Sequence, residues 1–482
     1  MSFSSLTYLV FFAFVCLFMG VTNLFKNKAG LKKTQNIRHI FLLIASYVFY
    51  GWWDFRFCLL MLLLTAVAYL TALTVSKNGK GKKSALVVGV AFPLVILGVF
   101  KYFNFFIDSF AALFGITSVH TLSIILPVGL SFYTFQSLSY TIDVSRGKIP
   151  VQKSFVKLAL YVSFFPQLVA GPIVKAGDFL PQLQEDRSIS LKNLETGIQI
   201  FFLGMFKKVV VADHISVFAD EVFRTPKAFS GLTVLLAVVS YAIQIYFDFS
   251  GYSDMAIGSA KCIGFDINRN FNLPYISRNV SEFWKRWHIS LSTWLMEYLY
   301  IPLGGNRKGK VRTYINLLIT MLLGGLWHGA SLTFVAWGLF HGIGLCVHKL
   351  YMKLRGRDKH YRGKPVTNVI STVFTFAFVC IGWVFFRADT FETAWDVFKA
   401  VFTMQSGISH PFSWAFFGIA VVVAETVIAV IKSKKQGLSA PENNYIILPL
   451  DKVWGLTVFA FFVFVILGIA YTGSNPFIYF QF

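Results

Sequence analysis

The chain has 482 residues, of which 56% are hydrophobic, 18% aromatic and only 14% charged, with a mean hydropathy of +0.64. Soluble domains carry about 25% charged residues, so this composition, with apolar runs as long as the roughly 20 residues that cross a bilayer core, excludes a soluble multi-domain protein. The net charge of +22 lies in short Lys/Arg blocks between apolar runs, the positive-inside pattern of cytoplasmic loops, which argues against a nucleic-acid partner.

Taken in chain order, the first apolar run, residues 6–24, has no basic residue before it and no small-residue cleavage site after it. It reads as a first span and not as a removable signal peptide. A basic block follows (Lys26, Lys28, Lys32, Lys33, Arg38), then an apolar stretch over 40–75 broken at GWWDF, then Lys77, Lys80, Lys82 and Lys83. That stretch predicts a hairpin whose aromatic turn lies at the outer interface. Runs over 85–107 and 122–142 form the next pair, joined by a segment with Asp108 and no Lys or Arg. Runs over 369–386 and 414–431 form another pair between basic blocks, and 453–471 is the last run. Two cytoplasmic loops must be separated by an even number of spans. The three pairs obey that parity, which places both termini outside.

Between residues 155 and 310 the apolar stretches are interrupted. Pro166, Gly171, Pro172, Gly251, Gly258 and Pro274 are expected to break spanning helices there. Irregular backbone at membrane depth must be buried in protein or line a water-filled cavity, so a central cavity or tunnel is expected. Five cysteines are scattered singly, with no CxxC or CxxH spacing. They predict neither a disulfide framework nor a zinc site, only small packing residues.

Ionisable side chains inside a membrane are costly and mark functional sites by default. His328 lies in LLGGLWHGASLTFVAWGLFHG. The helical stretch before it, residues 314–326, climbs about 20 Å of a core about 30 Å thick, which puts His328 within the membrane beyond its midpoint. A neutral imidazole there can take a proton from a hydroxyl and return it near pH 7. Gly324, Gly325 and Gly329 are expected to let a thin substrate approach the ring. A hydrogen-bonded packing histidine accounts equally for an isolated His in a span, and His341 fits that reading better. His288, in EFWKRWHISLSTWL, is either a second polar group in the same tunnel or an interfacial residue beside an aromatic belt. Lys285 and Arg286 could meet the phosphates of a cytoplasmic donor, or act as positive-inside anchors. Asp248, Tyr252, Ser253 and Asp254 form a polar cluster next to Gly251, read first as a structural network. No GxSxG, HExxH, Walker or GxGxxG pattern occurs in a fitting context.

The ordered set EFWKRWHISLSTWLMEYLYIPLGGNRKG and, about forty residues after its histidine, LWHGASLTFVAWGLFHG resembles the membrane-bound O-acyltransferase family, in its bacterial alginate O-acetyltransferase branch. LPVGLSFYTFQSLSYTIDVSRGKIP, FFPQLVAGPIVKAGDFLPQL, YFDFSGYSDMAIGSAKCIGFDINRNFNLPYIS and GWVFFRADTFETAW add to the likeness, which extends from about Leu126 to the C-terminus. The resemblance implies an all-α polytopic membrane fold of about 10–12 spans with re-entrant helices around a tunnel. Its expected parts are N-terminal hairpins over 1–120, a catalytic core over 121–350, and C-terminal helices with an aromatic tail over 351–482. It implies His328 and His288 as active-site residues and Lys285, Arg286, Arg307, Trp327, Asp248 and Ser253 as substrate-binding candidates. No cofactor is expected to be bound and no metal. The implied donor is acetyl-CoA, in the bacterial cytoplasmic (inner) membrane. The implied partner is an exported SGNH-hydrolase-like acetyltransferase that modifies a cell-surface polysaccharide. Peptidoglycan O-acetylation and teichoic-acid D-alanyl transfer are neighbouring alternatives, and a transporter or flippase is the rival from another class.

The tail GSNPFIYFQF is aromatic and uncharged. By parity it lies outside, where it could fold back into the tunnel mouth and present Tyr479 as a covalent acetyl relay. An aromatic interfacial anchor is the alternative.

Overall fold

The computed structural model describes residues 1–77, 81–116, 121–169, 171–356, 365–410, 413–436, 445–473 and 475–478. Among them the secondary structure is helical, as expected, with a single β-bridge between Phe229 and Ile408. Six helices among the described residues are long and apolar enough to cross a membrane: Leu6–Leu24, Arg56–Val75, Lys82–Phe114, Gly231–Cys262, Pro365–Arg387 and Trp414–Lys435. Helices Leu31–Gly51, Lys310–His328 and Leu332–Leu354 have similar length with more polar residues, and Val453–Ile469 is a shorter apolar helix.

The predicted hairpin is present. Leu31–Gly51 and Arg56–Val75 are joined at Asp54, whose carboxylate accepts the Arg56 backbone N–H at 2.9 Å and its guanidinium at 2.6 Å. The next pair departs from expectation. Its first helix runs unbroken over Lys82–Phe114, but the second begins only at Leu130. Pro127 lacks an N–H to donate, and Gly129 holds φ +74°. A Cβ there would lie 2.6 Å from the Leu168 carbonyl oxygen, so the chain passes that point as glycine in a left-handed turn.

Gly251 and Gly258, expected to break a helix, lie inside the 32-residue helix Gly231–Cys262. Their role is close approach. A Cβ on Gly258 would meet the Gly197 carbonyl oxygen at 2.6 Å, and one on Gly251 the Gly204 carbonyl oxygen at 2.6 Å. Pro166, Gly171, Pro172 and Pro274 do lie where helices stop or shrink to a single turn.

The described chain divides into two compact units made of interleaved segments. One comprises Met1–Leu203, Tyr252–Asn268 and Pro449–Val453. Buried polar contacts knit it together. The Tyr8 and Ser259 hydroxyls are 2.7 Å apart, and Arg38 reaches Asp186 at 3.2 Å and the Thr22 hydroxyl at 2.7 Å. The other comprises Gly204–Gly251, Arg269–Leu448 and Trp454–Phe482. It contains the Lys310–His328 and Leu332–Leu354 pair and a π-helical turn at Phe206–Ala212.

Candidate functional site

His328 is the last residue of its helix, because Gly329 turns to extended backbone (φ −160°, ψ 153°). Ser331 then caps the next helix by accepting the Thr333 N–H. The two helices approach so closely that a Cβ on Gly325 would meet the Phe334 carbonyl oxygen at 2.3 Å, and one on Gly329 the Phe334 ring at 2.2 Å. A Cβ on Gly324 would lie 3.1 Å from Leu295 Cδ1. These glycines are therefore occupied by protein. They serve helix packing and do not open a path for substrate, contrary to expectation.

The His328 side chain is buried in a box of rings. Centroids of Trp327, Trp337 and Phe386 lie 5.0, 5.0 and 5.1 Å from its own, and that of His288 lies 6.5 Å away. Trp327 packs beside both imidazoles, its ring centroid 6.0 Å from that of His288.

His288 is fully buried and holds φ +41°, ψ +55°, as the residue preceding helix Ile289–Leu295. A non-glycine residue in that region costs about 1–3 kcal/mol and persists only where its surroundings enforce it. Here Asn270 enforces it. Its backbone carbonyl accepts the Ile289 N–H at 2.9 Å, while its side-chain oxygen accepts the Ser290 N–H (3.2 Å) and hydroxyl (2.8 Å). The same oxygen lies 3.1 Å from His288 Nδ1. An amide oxygen only accepts, so Nδ1 carries the hydrogen and Nε2 keeps its lone pair. Asn270 was not singled out in the sequence. It lies within the quoted stretch YFDFSGYSDMAIGSAKCIGFDINRNFNLPYIS but looks there like any turn asparagine.

The other candidates fall in different settings. Lys285 and Arg307 are exposed. Arg286 is buried and turned inward, with Nε 3.2 Å from Glu282 and Nη1 donating to the Asn272 carbonyl at 3.0 Å. Those donors are taken up by its own loop. Asp248 is the partner of Lys208 at 2.7 Å. Ser253 is buried on helix Gly231–Cys262. His341 is fully buried among Phe283, Trp284, Trp337 and Phe378, a packing position. Tyr479 lies outside the described residues.

Residues 44–388 match the model of the membrane-bound O-acyltransferase family. The match begins well before Leu126, within the N-terminal hairpin. The chain is 38% identical to the probable alginate O-acetylase AlgI of Pseudomonas putida across 100% of both chains. It is 42% identical to the Pseudomonas aeruginosa protein of the same name, over 84% of this chain and 75% of the other. It is 37% identical to the peptidoglycan O-acetyltransferase of Helicobacter pylori, over 75% and 73% respectively.

Proposed function

The chain belongs to the membrane-bound O-acyltransferase family, and from that premise we propose that it moves an acetyl group from cytoplasmic acetyl-CoA, across the bacterial inner membrane, to an acceptor for O-acetylation of a cell-surface polysaccharide. That it is a multi-pass acyltransferase follows from the family and the apolar helices, and removes the transporter reading. The acetyl group is favoured because the relatives named O-acetylase or O-acetyltransferase match over most of the chain.

The observation that carries the reading is the buried pair of imidazoles with centroids 6.5 Å apart. Their nearest nitrogens can come no closer than about 4 Å, too far for a direct hydrogen bond, and in the proposed arrangement a hydroxyl oxygen bridges them. In the proposed step the acceptor oxygen attacks the thioester carbonyl, and His328 takes the hydroxyl proton. The new C–O bond forms, the C–S bond breaks, and the proton passes to the departing thiolate of coenzyme A. His288, its tautomer set by Asn270, holds the hydroxyl through Nε2 or hands its proton on. Exposed Lys285 and Arg307 suit the phosphates of the donor. Tyr479 is the proposed first acceptor. A phenol, with a pKa near 10, gives an ester activated for onward transfer to an exported SGNH-type partner.

The test is purified protein with radiolabelled acetyl-CoA. Label should appear on the tail or on an added acceptor in the wild type and vanish in His328→Ala. Tyr479→Phe should keep the protein inserted and lose onward transfer. Label transfer by H328A at the wild-type rate would sink the reading.

A further inference from the structure

Two lysines stand side by side in the π-helical turn Phe206–Ala212, and both are buried. Lys207 reaches Glu425 at 2.9 Å, and Glu425 also accepts the Tyr246 hydroxyl at 2.8 Å. Lys208 meets two carboxylates, Asp213 at 2.8 Å and Asp248 at 2.7 Å. Two buried carboxylates facing one ammonium leave an excess of negative charge, which is costly unless further donors reach it.

One such donor comes from the C-terminal segment, which further bonds tie to the backbone and hydroxyl around the cluster. The Ile478 backbone N–H donates to Asp248 Oδ2 at 2.8 Å. The Asn475 amide donates to the Asp213 carbonyl at 3.2 Å and to the Ser216 hydroxyl at 2.8 Å, and Lys208 Nζ donates to the Asn475 carbonyl at 3.4 Å. Between those anchors, the Phe477 ring lies 5.6 Å from Phe249, which in turn lies 4.7 Å from His288. The cluster therefore binds backbone and side chain of the tail one ring away from the histidine pair.

We propose that the Lys208–Asp213–Asp248 cluster is a clamp that seats the C-terminal segment beside His288 and His328, with Asp248 and Lys208 as positioning residues for acyl transfer. The positioning part rests on the function proposed above; the clamp itself does not. Asp248 acts by holding the tail and touches neither donor nor acceptor.

The experiment is hydrogen–deuterium exchange on the full-length protein, read on the C-terminal peptide containing Ile478, paired with kcat and KM for acetyl-CoA. Asn475→Ala removes only tail-side bonds and leaves the buried charges paired, so it avoids the misfolding that Asp248→Ala risks. In Asn475→Ala, exchange of that peptide should rise about tenfold, with kcat falling about tenfold and KM unchanged. Asp248→Asn keeps an oxygen for the Ile478 N–H, so it should recover much of the protection that Asp248→Ala loses. Unchanged exchange in both Asn475→Ala and Asp248→Ala overturns the clamp. Faster exchange with undiminished kcat overturns the positioning role. Exchange needs no substrate, so a wild-type protein that fails to turn over acetyl-CoA would overturn the proposed function while the exchange still decides the clamp.

Discussion

At the scale of single residues, the proposed chemistry rests on two imidazoles that differ in how they are held. His328 is boxed by Trp327, Trp337 and Phe386, while His288 is fixed by a polar partner and by its backbone. Removal of the His328 ring should lower acyl transfer by about 10²–10⁴-fold with the thermal unfolding midpoint little changed, measured side by side in detergent. For Asn270→Ala, loss of the acceptor shared by His288 and Ser290 should cost about 1–3 kcal/mol of stability. It should also lower kcat more than it raises KM, because the tautomer and tilt of His288 are then unset. Asn270→Asp keeps that acceptor and should retain more activity than the alanine variant. Both histidines were legible in the sequence because ionisable groups are rare in such apolar runs. Asn270 was not, because its importance arises only when a loop brings it onto a histidine 18 positions further along the chain.

At the scale of helices, glycine was the residue most easily misread. In a sequence it signals a break, yet Gly251, Gly258 and Gly325 all lie inside helices where another backbone crosses. What distinguishes the two roles is the neighbour, and the neighbour is a tertiary fact. Gly325→Ala should therefore destabilise by about 1–3 kcal/mol, since the added methyl meets the backbone of Phe334 and Gly338 and not a side chain that can swing away. Gly468→Ala is the control. Nothing lies within 4 Å of its added carbon, so helix propensity alone acts and the protein should be unchanged or slightly more stable. Thermal unfolding of the two variants side by side decides the matter, and equal shifts would refute the packing account.

At the scale of the whole molecule, alternating basic blocks and apolar runs were enough to read a polytopic helical protein. The hairpin Leu31–Gly51 to Arg56–Val75 and the helices Pro365–Arg387 and Ser413–Lys435 emerged near their expected bounds. The two interleaved units were not legible, because one helix, Gly231–Cys262, contributes its first part to one and its last turns to the other. Nor was the Lys208 cluster: Asp248 was read within a polar cluster beside Gly251, but its partner Lys208 lies 40 positions away in the chain. The charge pattern makes a topological prediction. In a variant lacking the native cysteines, Ser2→Cys should react with an impermeant maleimide on intact cells, and Lys83→Cys only after the inner membrane is opened. The reverse result would invert the assigned orientation.

The π-helical turn Phe206–Ala212 has a consequence for how this chain can change in length. Such a turn holds one residue more than the α-helical turn it replaces, and each residue of a helix advances the direction of the next by about 100°. Shortening the turn by one residue would leave a smooth helix from Leu191 to Arg224, with composition almost unaltered. Everything beyond the deletion would nevertheless face elsewhere, and Lys207 and Lys208 could no longer serve Glu425 and Asp248 at once. Exchange of one apolar residue for another in this turn should be well tolerated, whereas loss of a single codon there should be as damaging as loss of the lysines themselves.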